Sequence, residues 1–170
     1  MRELVFAPAG MASTTEDDAL TIVPHRVRGY SLGPNGTIGR APFRDVSENL
    51  PAGGYLSTTE DLVRFVLAFN SGRLVTAQTR DKMLEHPKLI DGTLAPNPFG
   101  NPNYFYGIGI MVDPEQTEPA WFHTGGQSGV SSLLFYFPKS QIAVGIMTNM
   151  DHSAIREYLA RQVGEIASRD

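Results

Sequence analysis

The run from Tyr104 to Thr148 constrains the fold most. It holds four short stretches enriched in aromatic and β-branched residues: Tyr104 to Val112, Ala120 to Thr124, Ser131 to Phe137 and Ile142 to Thr148. Turn residues bound each stretch, which is the pattern of successive strands. Pro138-Lys139-Ser140-Gln141 is a hairpin connection, so the last two strands are expected to be antiparallel neighbours. From about Ser153 to Ile166 the period changes, and Ile155, Leu159, Val163 and Ile166 fall on one helical face. The expected fold class is α/β of the α+β type: an antiparallel sheet of about three or four strands with a packed C-terminal helix.

Residues 1–103 read as a helical and loop part preceding the sheet and helix of 104–170, the whole 170-residue chain forming one unit. Met11 to Gly54 is rich in Gly, Pro, Asn and Ser and reads mostly as loop. Ser57-Thr58-Thr59-Glu60 has the form of a capping box, a hydroxyl followed three residues later by a carboxylate. Leu62, Phe65, Val66 and Phe69 follow at helical spacing, and Asn70-Ser71-Gly72 ends the run. A second helix is expected after Thr76, ending at His86-Pro87 because the residue before Pro is pushed out of the helical region. Asp91 to Asn103 reads as a long surface loop.

Composition excludes several function classes. Net charge is −4, and only Lys82, Lys88 and Lys139 are lysines among 14 basic residues. The Arg residues are scattered along the sequence, so nucleic acid is not an expected partner. Cysteine is absent, which removes disulfides, thiolate metal sites and a Cys nucleophile. The longest apolar runs fall far below the ~20 residues of a membrane span. His25, His86, His123 and His152 show no paired spacing for a metal, and neither a metal nor a cofactor is expected. Gly33-Pro34-Asn35-Gly36 and Gly107-Ile108-Gly109 lack the companions of a phosphate loop.

Trp121-Phe122-His123-Thr124-Gly125-Gly126-Gln127-Ser128-Gly129 is the most unusual segment. A His and a hydroxyl stand at a strand end, followed by three Gly within five residues. Gly admits close approach of a ligand or another backbone and leaves N–H groups free to face an anion. The same residues also suit a strand entering a Gly-rich turn, with His123 capping or exposed. Trp121 fits either a pocket wall or the core, and Tyr104, Phe105 and Tyr106 read as sheet packing.

His123-Thr124-Gly125 resembles the third motif, Lys-Thr-Gly, of the serine β-lactamase and penicillin-binding-protein family, with His in place of Lys. Pro51-Ala52-Gly53-Gly54-Tyr55-Leu56-Ser57-Thr58 with Asp61, Leu62 and Phe65 resembles the Gly-Gly-apolar-Ser-Thr turn and the helix after it. Phe6-Ala7-Pro8-Ala9-Gly10-Met11 with Ser13-Thr14 is similar to its Pro-Leu-Gly-Met stretch, departing at Ala9. Tyr106-Gly107-Ile108-Gly109 and the Phe137-Pro138 hairpin also fit, and the order agrees over nearly the whole chain. The resemblance is to the C-terminal portion of such an enzyme, class C β-lactamases included. It implies that His123, Thr124, Gly125 and Gly126 bind substrate, with the Gly126 N–H as one oxyanion donor.

The same family attacks its substrate with the Ser of a Ser-x-x-Lys motif, assisted by a Tyr-x-Asn motif. Neither occurs here: Thr79, Glu85 and Tyr136 stand three residues before the lysines, and no Tyr has Asn two positions later. Thr79-Arg80-Asp81-Lys82 has the spacing but sits in an expected surface helix, and Ser47-Glu48-Asn49 is out of family order. The resemblance therefore implies a fragment of a serine hydrolase for β-lactams, D-Ala-D-Ala peptides or esters, inactive alone. The alternatives are a non-catalytic binding module, a remnant, or a subunit completed by a separate N-terminal half. A substrate would then be a small molecule or peptide. Lost strands would leave an exposed sheet edge that favours a homo-oligomer or a strand-swapped dimer. No signal-peptide core is present, whereas the family often works in the periplasm or outside the cell.

Overall fold

The computed structural model describes residues 1–114, 119–151 and 155–167. A wide π-type turn over Arg2–Phe6 opens the chain and passes into α1 (Ala7–Ala9), which ends at Gly10 in the left-handed region. Met11 to Gly54, expected as loop, holds β1 (Thr15–Glu16), β2 (Tyr30–Leu32), β3 (Ile38–Arg40), a 3-10 turn at Ser47–Asn49 and α2 (Leu50–Gly53). Gly33-Pro34-Asn35-Gly36 is the tip of the β2–β3 hairpin, closed by the Gly33 N–H donating to Thr37 O at 2.8 Å. β1 pairs with β4 (Tyr55–Leu56). Strands of two or three residues are too short to leave an alternating pattern, so only their pairing reveals them.

The first main helix, α3 (Thr59–Asn70), starts one residue later than the capping box implies. Thr58 is the N-cap and its hydroxyl accepts from the Asp61 N–H at 3.2 Å. The second, α4 (Ala77–Leu84), is capped by Thr76, whose hydroxyl accepts from the Thr79 N–H. Thr79-Arg80-Asp81-Lys82 lies within it.

The expected strand from Tyr104 to Val112 is two strands, β5 (Phe105–Tyr106) and β6 (Met111–Asp113). They fold back on each other across Gly107 to Ile110, with Gly109 at φ +74°. With β7 (Ala120–Gln127), β8 (Val130–Phe137) and β9 (Ile142–Thr148) they make an antiparallel sheet of five strands in the order β5-β6-β7-β8-β9. The fold is thus mixed α/β, as expected, and that fold-back adds a strand to the sheet.

Strand alternation divides the core. Phe122, Leu133, Phe135 and Val144 face one side, with Phe122 and Phe135 stacked at 4.9 Å. Trp121, Leu134 and Tyr136 face the other, joined by Val66 and Phe69 of α3. Each fully buried aromatic contributes about 1.5–3 kcal/mol. Helix α5 (Ile155–Ala167) lies on the first face.

α5 does not seat through the expected stripe. Ala160 is buried, and Gly164 rests on the Phe137 ring so closely that a Cβ would overlap it. Arg161 bonds Asp113 at 3.1 Å and lies over the Phe135 ring. The small residues let the helix approach closely, which turns Leu159, Val163 and Ile166 outward with 39, 47 and 63% of their surface exposed. The expected helix start at Ser153 and the side chain of Ile155 lie outside the described residues.

Asp61 ties the opening of the chain to α3. It is 1% exposed and accepts from the Ser13 N–H and the Thr14 hydroxyl, both at 2.8 Å, and from Arg64 at 3.2 Å. Removing it takes the acceptor from the buried Thr14 hydroxyl and the part-buried Ser13 N–H, and a buried donor left without its acceptor costs about 1–3 kcal/mol. Asp61→Ala is therefore expected to destabilise the chain by about 1–3 kcal/mol, read as a lower urea midpoint at unchanged slope.

Candidate functional site

β7 carries His123, Thr124, Gly125 and Gly126, and the ladder to β8 runs unbroken from Trp121↔Tyr136 to Gln127↔Val130. The two glycines are thus strand residues, and the turn is Ser128-Gly129. A Cβ on Gly125 would meet the Ser132 hydroxyl paired opposite, which would have to turn away to admit a side chain there. Gly126 has nothing within 4 Å of where a Cβ would lie, so the strand is open to an approaching ligand at that point.

His123 is held by two bonds. Its Nδ1 lies 2.6 Å from the Thr124 carbonyl, an acceptor, so Nδ1 carries the proton. In the neutral ring Nε2 then accepts from the Tyr106 hydroxyl at 3.0 Å. The partner comes from the β5–β6–β7 register, in which Tyr106 pairs with Met111 and Met111 with Phe122, bringing Tyr106 two strands across to the neighbour of Phe122. Trp121 is core, 3% exposed and edge-on to Phe69 at 5.5 Å. His86 stacks on Phe105 at 4.3 Å, and His152 lies outside the described residues.

A cleft of about 830 Å³ opens at the end of β7. Gln127 and Ser128 form one wall, Tyr55 to Thr58 the next, and residues 23–29 and 40–44, on either side of the β2–β3 hairpin, the third. His123, Thr124, Gly125 and Gly126 precede this wall along the strand and are not among its lining residues. The loop is latched to the β7–β8 turn by a backbone crossing. A Cβ on Gly29 would lie 2.8 Å from Gly129 Cα, and Gly129 has φ +75°. Both positions admit only glycine. The Ser128 hydroxyl donates to Pro42 O at 2.6 Å, and the Tyr30 N–H donates to Gly129 O at 3.3 Å and to Asn149 O at 2.9 Å. Arg26, Arg28, Arg40 and Arg44, scattered in sequence, all line this cleft. Asp18 and Asp45 flank it in sequence, and the Leu20 and Ser47 backbone N–H groups hold their carboxyls below the ordinary value.

The sequence model of the Beta-lactamase family matches residues 1–168. The chain belongs to that family. Among solved structures it is similar to a penicillin binding protein from Bacillus halodurans, with TM-score 0.70 and 20% identity over 94% of this chain and 46% of that one. It is also similar to the D-amino acid amidase from Ochrobactrum anthropi SV3 complexed with L-phenylalanine amide, with TM-score 0.73 and 22% identity over 95% and 47% of the two chains. An octameric penicillin-binding protein homologue from Pyrococcus abyssi matches with TM-score 0.70 and 20% identity over 96% and 36%. No curated protein matches the sequence. At these identities the structural likeness establishes the fold, and the β-lactamase-family chain spans less than half the length of each solved relative.

The bonding of His123 is testable. In the neutral ring, ¹⁵N chemical shifts are expected to show the proton on Nδ1, and Tyr106→Phe is expected to shift Nε2 alone. A proton found on Nε2 would contradict the arrangement.

Proposed function

We propose that this chain supplies the substrate side of a serine acyl hydrolase of the β-lactamase family and carries out no covalent acyl transfer by itself. The observation that supports this best is the glycine-opened β7 strand running into a walled cleft, in 170 residues with neither Ser-x-x-Lys nor Tyr-x-Asn. In this reading His123 and Thr124 meet the polar end of the substrate, Gly125 and Gly126 line its path, and the Gly126 N–H donates to the oxyanion. Such a donor contributes about 3 kcal/mol to the transition state. The substrate is an amide, ester or β-lactam, a class consistent with the amidase and penicillin-binding relatives. The nucleophile comes from a polypeptide bearing the other two motifs.

The 170-residue chain alone is expected to give no labelling by a fluorescent penicillin and no nitrocefin turnover. Adding a polypeptide with Ser-x-x-Lys and Tyr-x-Asn is expected to restore labelling, on the added partner. Labelling of any Ser or Thr in the 170 residues would overturn the reading.

A second reading, a non-catalytic module that associates with a partner or with itself, has its own support. The outer edge of β9 has no pairing strand among the described residues, and Leu159, Val163 and Ile166 of α5 are exposed. An open edge beside an apolar stripe favours association. Light scattering is expected to show species larger than a monomer at high concentration, and a monomer throughout would remove self-association from this reading.

A further inference from the structure

We propose that the cleft at the end of β7 takes a ligand bearing two or more anionic groups, carboxylate or phosphate, held by Arg28, Arg40 and Arg44. The proposal takes the substrate path along β7 to continue into this cleft, and so rests on the reading above. The chain has a net charge of −4, yet four of its arginines are among the residues that line this one cleft. The only carboxylate among the described lining residues is Asp17. It is fully engaged by Arg26, whose two terminal nitrogens donate to its two oxygens at 2.6 and 2.9 Å.

The neighbouring carboxylates do not neutralise the rest. Asp18 is turned to the Leu20 N–H and the Thr21 hydroxyl, and Asp45 to the Ser47 N–H. Arg28, Arg40 and Arg44 form no ion pair among the described residues. Like charges gathered around one opening repel, and a guanidinium is shaped to hold carboxylate or phosphate through two parallel bonds. One anionic group can satisfy one such fork, so a ligand with at least two engages more than one of the three arginines. The backbone that presents Arg28 and Arg40 is fixed. Gly29 beside Arg28 crosses Gly129, Ala41 beside Arg40 donates to Gly29 O at 3.1 Å, and Asn149 donates to Arg28 O at 3.3 Å. Ser57, Thr58 and Gln127 add neutral polar groups to the same walls, and about 830 Å³ is ample for a ligand larger than a single amino acid.

The test is calorimetric titration of the 170-residue chain with citrate, pyrophosphate and acetate at low and high salt. Citrate or pyrophosphate is expected to bind saturably, one per chain, more tightly than acetate and more weakly as salt rises. Tighter citrate points to a carboxylate source and tighter pyrophosphate to a phosphate one. Arg28→Gln, Arg40→Gln and Arg44→Gln are each expected to weaken binding roughly tenfold. Arg73→Gln, outside the cleft, is expected to leave binding unchanged. All three cleft arginines are exposed, so circular dichroism of the variants should overlay the parent. Absence of saturable binding, acetate as tight as citrate, or equal losses in Arg73→Gln would overturn the proposal. Arginine-dependent binding in a chain that no partner makes competent for acyl transfer would sink the hydrolase reading alone. A reconstituted enzyme that keeps its rate on anionic substrates with all three arginines replaced would sink the anion proposal alone.

Discussion

The seven-pair ladder between β7 and β8 is the constraint on which the rest depends. Because strand side chains alternate, its register alone decides that Phe122 and Phe135 meet α5 while Trp121 and Tyr136 meet α3. A slip of one residue would exchange these faces along the whole strand. It would also carry Gly125 away from Ser132, and Gly129 away from Gly29, where only glycine fits. Core packing and site geometry are therefore consequences of one pairing. Phe122–Phe135 stacking supplies burial energy at one end, and the glycine contacts exact steric fit at the other.

The crossing of Gly29 over Gly129 links that ladder to the cleft. Residues 23–46 contain little that would hold a fixed shape unaided, since Val46 is the only fully buried apolar side chain in the stretch. Their order is borrowed from the β7–β8 turn below and from the end of β9, through Tyr30, Ser31 and Asn149. A loop held mainly by backbone bonds and carboxylate-capped turns is free to carry unusual side chains at its surface. Here it carries arginines together with exposed Leu32, Ile38 and Phe43.

Legibility in the sequence followed element length and locality. β8, β9 and α3 were readable because each spans several periods of its pattern, and α4 because Thr76 and Pro87 bound it. The β5–β6 fold-back was not, because Tyr104 to Val112 is continuously apolar or glycine and a two-residue strand has no period of its own. Tyr106 as the partner of His123 was hidden for a related reason. Their 17-residue separation carries no meaning until two hairpin registers are known. The arginine cluster was invisible for the same cause, as four residues spread over 26–44 converge only when β2 and β3 pair and the glycines cross. His123-Thr124-Gly125 was legible as a motif, but its place before the cleft wall rather than within it was not.

The face on which α5 sits shows periodicity being overruled by steric fit. Spacing of three and four favours Leu159, Val163 and Ile166 as the buried stripe, yet Ala160 and Gly164 face the sheet. β8 presents Phe135 and Phe137 to the helix, with their rings 5.0 Å apart, and bulky aromatics on one surface call for small residues on the other. Arg161 then spans the seam, its guanidinium over Phe135 and bonded to Asp113, which fixes the helix rotation. With that rotation set, the larger apolar residues must point outward. A helix that buries its small residues and exposes its large ones has two apolar surfaces, and the sheet covers only one of them. The unpaired edge of β9 and the outward stripe of α5 are thus parts of one condition: the described residues satisfy the central ladder completely and leave apolar helix surface and strand edge uncovered.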